Sequence, residues 1–211
     1  MVMVDTISVT LIRHGLTRFN EESRYIGSTD LPLSKKGVEQ TNRLALLLNT
    51  SPDLLVTSDL MRCQQTMSLL YPNLPFQKSK QLREYDFGLW EGKTYEQLKS
   101  DKTYQSWLLN PLTTSPPQGE TLSVFQQRVE EGFHLVIKKA IDQRKEHVAV
   151  ITHGGVIRHW LSVYAPVKRT FFEWDASIGN IFTLKAKHQD LGRGERFTSL
   201  QEERFTEKIN G

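Results

Sequence analysis

Two apolar runs of this 211-residue chain end alike. VTLIRHG at 9–15 closes on Arg13, His14 and Gly15, and VAVITHGG at 148–155 closes on His153, Gly154 and Gly155. Each run is β-branched and short, the pattern of a buried strand, so each histidine stands where a strand leaves the core. One such ending is ordinary: an arginine reaching for solvent and a histidine in a turn. Two in one chain point to a shared crevice, because ligands bind outside the carboxyl ends of neighbouring strands in an open parallel sheet. A third run, DLLVTS at 53–58, feeds TSDLMRCQQT and puts Arg62 on the first turn of the helix that follows. LREYDFGLWEG supplies Glu84, and RHGLTRFN supplies Asn20, six residues after His14. The crevice then holds two arginines, two histidines, a carboxylate and an amide.

That inventory suits a phosphate monoester. The group carries nearly two negative charges at neutral pH and three acceptor oxygens, and the planar fork of arginine binds such oxygens two at a time. Phosphoryl transfer rests mainly on positioning and electrostatics. A neutral imidazole serves as nucleophile when a carbonyl holds its other nitrogen and fixes the tautomer. Glu84 can protonate the leaving oxygen, since a bound dianion nearby favours the neutral acid.

Competing chemistries lack their spacing. There is no H-E-x-x-H, and His153 and His159 are too loosely arranged for a zinc pair. No G-x-S-x-G elbow accompanies the HGG run, and no G-x-x-x-x-G-K-[ST] loop occurs. Cys63 has no arginine six residues on, so it reads as a core or groove residue on a helix. His134, His147, His159 and His188 read as structural or surface residues, Trp90 and Trp107 as packing, and Glu91 as an ion-pair or helix-entry residue. No metal and no cofactor is expected.

The elements that must position these groups alternate along the chain. After the first strand comes LSKKGVEQTNRLALLLN, with Ser34 as N-cap and Val38, Leu44, Ala45 and Leu48 at helical spacing. Leu60, Cys63, Met67 and Leu70 mark a second helix. Leu122, Phe125, Val129, Phe133, Val136 and Ala140 mark the clearest amphipathic helix. GGVIRHWLSVYA reads as a short buried helix. Strand–helix alternation implies an α/β three-layer sandwich, a mainly parallel sheet flanked by helices with right-handed crossovers. Residues 83–118, with their tryptophans, glycines and SPPQG turn, read as an insertion over one end of the sheet. NIFTLKA and ERFTSLQ flank DLGRG as a late hairpin. One domain over 1–211 is expected.

Bulk properties narrow the partners. A net charge of +3 without a dense Lys/Arg cluster gives no case for nucleic acid. No window approaches the ~20 apolar residues of a membrane span, and Asp5 interrupts the N-terminal MVMVDTISVT before any leader pattern forms. A single cysteine suits a reducing compartment, with the cytoplasm as the default address. The expected partner is a small phosphate ester. The oligomeric state, a homodimer included, is left open.

In their order along the chain, LIRHGLTRFN, GSTDLPLS, TSDLMRCQQT, LREYDFGLWEG, PQGET and VITHGGVIR resemble the histidine phosphatase superfamily, which includes the cofactor-dependent phosphoglycerate mutases. The resemblance covers nearly the whole chain. It implies a phosphoglycerate mutase-like fold, His14 as the transient phosphohistidine, Arg13, Arg62 and His153 around the phosphate, and Glu84 as proton donor. It also implies that Thr17, Asn20, Ile26, Gly27 and the backbone at Gly154 line the pocket; Ile26 and Gly27 rest on the resemblance alone. Mutases of the family typically follow the acid with arginine and carry an arginine-rich insertion that grips the substrate carboxylate. Here Tyr85 follows Glu84, and only Arg128 and Arg144 occur between Glu84 and His153. The expectation is therefore a metal-independent phosphatase, with water resolving the phosphohistidine. LREYDFGLWEG with THGGVIR is similar to α-ribazole-5′-phosphate phosphatases and to broad-specificity bacterial phosphatases. Tyr85, Phe87 and Trp90 offer an aromatic wall to a nucleotide-like leaving group; the alternative is that Phe87 and Trp90 pack the insertion onto the sheet, the role favoured for Trp90, with Tyr85 left open. The alternatives are a phosphoglycerate mutase and a non-catalytic protein that holds phosphorylated partners.

Overall fold

Alternation of side chains along each strand decides which layer every residue joins. In the computed structural model, which describes residues 6–49 and 51–205, six strands form one sheet in the order β3-β2-β4-β1-β5-β6. They are β1 (Thr6–Arg13), β2 (Leu54–Ser58), β3 (Gln77–Ser79), β4 (His147–Thr152), β5 (Asn180–Lys187) and β6 (Ser199–Arg204). The first four are parallel to one another, whereas β5 runs antiparallel to β1 and β6 antiparallel to β5 at one edge. The helices are α1 (Arg18–Glu21), α2 (Lys35–Leu47), α3 (Met61–Leu70), α4 (Tyr95–Leu98), α5 (Lys102–Leu109), α6 (Leu122–Asp142), α7 (Gly154–Tyr164) and α8 (His188–Gly192).

Ile7, Val9 and Leu11 of β1, Leu54 and Val56 of β2 and Val148 and Val150 of β4 pack with Phe125, Val129 and Phe133 of α6 and Val156 and Trp160 of α7. The alternate residues Ile12, Leu55, Ala149 and Ile151 pack with Leu44 of α2 and Cys63, Met67 and Leu70 of α3. Two helical layers thus cover the two faces, and the three-layer sandwich expected from the sequence is the observed fold. Each fully buried aliphatic side chain contributes about 1.5–3 kcal/mol.

Four details differ from the sequence reading. On α2 the buried stripe is Gly37, Gln40, Thr41 and Leu44, with Val38 half-buried, because the loop after His14 packs on the Gly37 side. Strand β3 is polar and half-exposed at the sheet edge, so its sequence carries no apolar alternation. The late pair β5–β6 is antiparallel as expected, but α8 and an extended stretch connect it, and β6 begins only at Ser199. Phe197 is buried instead, its N–H donating to the Tyr164 carbonyl. Within the 83–118 segment, Trp90, Leu98 and Tyr104 form a small core of their own, which gives Trp90 the packing role expected. Asp5 lies outside the described residues. Among the described residues, no helix is long and apolar enough to cross a membrane.

Candidate active site

Strand register brings the two histidines together. In the parallel β1–β4 pair Arg13 lies opposite Thr152, and the His14 N–H donates to the Thr152 carbonyl at 3.0 Å. The two rings meet edge-on with centroids 5.1 Å apart. His14 is 2% exposed and His153 is fully buried. Nδ1 of His14 lies 2.7 Å from the Gly15 carbonyl oxygen. A carbonyl only accepts, so Nδ1 carries the proton and Nε2 keeps its lone pair. His153 has the opposite tautomer. Its Nδ1 lies 3.3 Å from Arg62 Nη2, which only donates, and its Nε2–H donates to Ser58 Oγ at 3.0 Å. Burial holds both imidazoles well below the usual histidine range, and the Arg62 and Arg13 charges push each the same way. Both rings are neutral.

The two arginines line the same end of the sheet. Fully buried Arg62 donates from Nη1 to the Thr29 carbonyl and from Nη2 to the Gly27 carbonyl, each at 2.7 Å. Arg13 Nη1 donates to the Ala176 carbonyl at 3.0 Å. Burial lowers both guanidinium values and the Glu84 charge opposes it; both side chains remain cations. The Nε atoms of Arg13 and Arg62 are buried without a hydrogen-bond partner. Such an orphaned donor costs about 1–3 kcal/mol. A docked oxyanion would offer such donors an acceptor.

Glu84 closes the ring of charges. Its Oε2 accepts the Gly155 N–H at 2.9 Å and its Oε1 accepts the Tyr85 N–H at 3.1 Å. A Cβ on Gly155 would overlap Glu84 Oε1, so only glycine lets the carboxylate approach the start of α7 this closely. The Glu84 backbone is held by Arg128, which donates to the carbonyls of Gln81, Arg83 and Glu84 and pairs with Glu120 at 2.6 Å. Arg144 ends α6 in a left-handed turn, three residues before the amino end of β4 and so at the opposite end of the sheet from the histidines. Neither arginine is free to grip a substrate carboxylate.

The remaining sequence candidates take varied places. Thr17 and Asn20 form the capping box of α1: the Thr17 N–H donates to Asn20 Oδ1 at 3.0 Å and the Asn20 N–H to Thr17 Oγ1 at 3.3 Å. Ile26 is buried beside Gly27, whose carbonyl holds Arg62. Gly154 lies against the Arg13 guanidinium, where an added Cβ would sit 3.2 Å from Nη1. Tyr85 packs among Phe87, Trp107 and Phe125, and burial pushes its hydroxyl up to about 12.

Glu91 corrects its sequence reading as an ion-pair or helix-entry residue. Its carboxylate accepts the amides of Gly27, Ser28, Thr29 and Phe87 at 3.0–3.2 Å. It therefore shapes the loop whose carbonyls hold Arg62. Ser58, the partner of His153, and Thr66, whose Oγ1 accepts the Gly15 N–H at 3.0 Å, are two further supports that the sequence reading did not single out. Ser58 was open to discovery, since it ends the strand that precedes Arg62. Glu91 was not, because a clamp across 64 residues leaves no local pattern.

Beyond Glu84 and Gly155 a cavity of about 600 Å³ opens, walled by Tyr85, Phe87, Trp107 and Phe125. Cys63, with its Sγ 3.4 Å from His153 Nε2, is inert: burial pushes its thiol up to about 12.

Comparison with known proteins agrees with this geometry. Residues 9–189 match the histidine phosphatase superfamily (branch 1). The chain is 34% identical over 152 residues to the adenosylcobalamin/alpha-ribazole phosphatase of Escherichia coli (strain K12), covering 70% of this chain and 73% of the relative. It is 29% identical over 184 residues to the 2,3-bisphosphoglycerate-dependent phosphoglycerate mutase of Pseudoalteromonas atlantica, covering 71% and 80%. The crystal structure of the alpha-ribazole phosphatase from Shigella flexneri, 27% identical, superposes with a TM-score of 0.76 over 84% of this chain and 90% of that one. Buried paired histidines, a two-arginine cradle and a family match across most of the sequence agree, and the chain belongs to the histidine phosphatase superfamily.

Proposed function

We propose that this chain, read as one domain over 1–211, hydrolyses small phosphate monoesters without a metal, through a phosphohistidine at His14. The observation that carries the reading is the neutral, buried His14, whose Nδ1–H is tied to Gly15 and whose Nε2 lone pair is available beside two guanidinium groups with unpartnered Nε atoms. His14 Nε2 attacks phosphorus as the ester P–O bond breaks, and Glu84 gives the leaving oxygen its proton. Water then attacks phosphorus, the P–N bond breaks, and the Glu84 carboxylate takes the proton of that water. Arg13 and Arg62 hold the phosphoryl oxygens throughout, and His153, whose one N–H is given to Ser58, stands against Arg62 beside them. Thr17, Asn20, Ile26, Gly27, Gly154 and Tyr85 shape the pocket.

Hydrolysis rather than mutation is supported by Arg128, which is spent on backbone carbonyls and Glu120, and by Tyr85 following Glu84. The similarity to the E. coli adenosylcobalamin/alpha-ribazole phosphatase supports α-ribazole 5′-phosphate as substrate, within a broad monoester range. The single free cysteine supports a cytoplasmic address. The test is phosphate release from p-nitrophenyl phosphate, nucleoside monophosphates, 3-phosphoglycerate and α-ribazole 5′-phosphate with chelator present, beside His14→Ala. Chelator-resistant release that His14→Ala abolishes is expected. Isomerisation of 3-phosphoglycerate in place of release would establish the mutase reading.

A further inference from the structure

We infer that the cavity beyond Glu84 takes a flat aromatic leaving group bearing an anionic or strongly hydrogen-bond-accepting substituent at its far end, and that Arg158 reads that substituent. This rests on the phosphatase reading, not on its α-ribazole 5′-phosphate assignment (a ribose ester), and adds aryl esters to the monoester range.

The cavity has two unlike walls. Trp107, Phe87, Tyr85 and Phe125 supply one, with Phe171 and Phe172 near its outer part. Aromatic faces favour a flat ring by offset or edge contact. The other wall is a stripe of α7 at Gly155, Arg158, His159 and Ser162, positions three and four apart that share one helix face. Gly155 anchors Glu84, where the leaving oxygen is protonated. Three residues along α7, Arg158 lies about 4.5 Å further out along the helix axis. A six-membered ring attached to the leaving oxygen spans that gap and presents its far substituent at the level of Arg158.

Arg158 is set for recognition. Its Nε donates to the Trp174 carbonyl at 3.0 Å, and its guanidinium carbon lies 6.0 Å from the Phe171 ring centroid. The head is steered, yet among the described residues no carboxylate pairs with it. Among the described residues, Glu84 and Arg158 are the only acidic or basic residues that line the cavity besides His159. Burial lowers the His159 value and Glu130 opposes it; its Nε2 faces the Glu130 carboxylate, so His159 offers the cavity no unpaired charge. Beyond Glu84 the chamber therefore presents one unpaired cation in an aromatic setting, which selects for an acceptor and against a cation.

The test compares phenyl phosphate, 4-carboxyphenyl phosphate and 4-(aminomethyl)phenyl phosphate on the native enzyme and on Arg158→Met. Taking the ratio of kcat/KM for each substituted ester to that for phenyl phosphate, and comparing it between the two enzymes, cancels leaving-group acidity. The carboxyphenyl-to-phenyl ratio is expected to fall about tenfold in Arg158→Met. The bias against the aminomethyl ester is expected to relax, with phenyl phosphate changed by less than about threefold. Unchanged ratios with all three esters hydrolysed would overturn the role of Arg158 and leave the phosphatase reading standing. Hydrolysis of glycerol 2-phosphate but of no aryl ester would overturn the aromatic class. No release from any of the four would remove the phosphatase reading itself, and this inference with it. Should Arg158→Met not fold, competitive inhibition of the native enzyme decides. 4-Carboxyphenylphosphonate is expected to bind about tenfold more tightly than 4-(aminomethyl)phenylphosphonate, and equal inhibition would refute the assignment.

Discussion

Replacing Glu91 by glutamine keeps the shape of the side chain and removes one charge from a carboxylate that serves four amides. Oε1 takes the N–H groups of Gly27, Ser28 and Phe87, and Oε2 takes Thr29 and shares Gly27. With a glutamine oxygen in the Oε1 position, three of these bonds survive but pass from charge-assisted to neutral, a loss of about 1 kcal/mol each. The Thr29 amide then meets an NH2 group and is left without an acceptor, for about 1 kcal/mol more. The sum is about 4 kcal/mol, and partial exposure of the loop brings the expectation to about 2–4 kcal/mol. The damage should not stop at stability, because Gly27 and Thr29 hold Arg62 through their carbonyls. Urea unfolding measures the first effect as a lower midpoint with unchanged slope. Competitive inhibition by inorganic phosphate measures the second, with affinity falling about tenfold. A Glu91→Gln protein within 0.5 kcal/mol of native stability and with unaltered phosphate affinity would refute the clamp.

Gly155→Ala pushes a methyl group into Glu84 Oε1, so kcat should fall at least tenfold while inhibition by phosphate changes little; the two constants measured together separate proton donation from phosphate binding. Native His14 and His153 should stay neutral at pH 6, which NMR of the ring nitrogens reports directly, with the proton on Nδ1 of His14 and on Nε2 of His153. The same depression has a stability consequence. Below about pH 6.5 the unfolded chain protonates both rings and the native site resists, so stability is complete above that pH and is lost as pH falls, by up to about 2.7 kcal/mol per pH unit for the pair. Either ring titrating near 6.5 in the native protein would contradict this.

Local chemistry was legible wherever one element carries its own signal. The runs at 8–13, 53–58 and 147–152 could be read as strands because each is apolar and buried on both faces. Their endings announced Arg13, His14 and His153, and the strand-to-helix junction announced Arg62. What stayed hidden depends on distant parts of the chain meeting. Glu91 looks like any surface acid until the fold sets it under the amides of 27–29. Arg128 looks like a free cation on a helix until the fold sets it under the carbonyls of 81–84. Arg158 looks like a helix-face charge until the aromatic wall closes opposite it. Strand β3 escaped for a different reason: an edge strand of three polar residues has no apolar alternation to betray it.

The central claim is that phosphate passes through His14. The most direct measurement mixes enzyme with a hydrolysable monoester, quenches in alkali within milliseconds, and maps the phosphoryl group by mass spectrometry of the peptide spanning LIRHGLTR. Phosphate on His14 that appears before free phosphate is released, and that vanishes in His14→Ala, is the predicted result. Steady hydrolysis with no phosphoryl group on His14 at any time point, or with the group on another residue, would contradict the account.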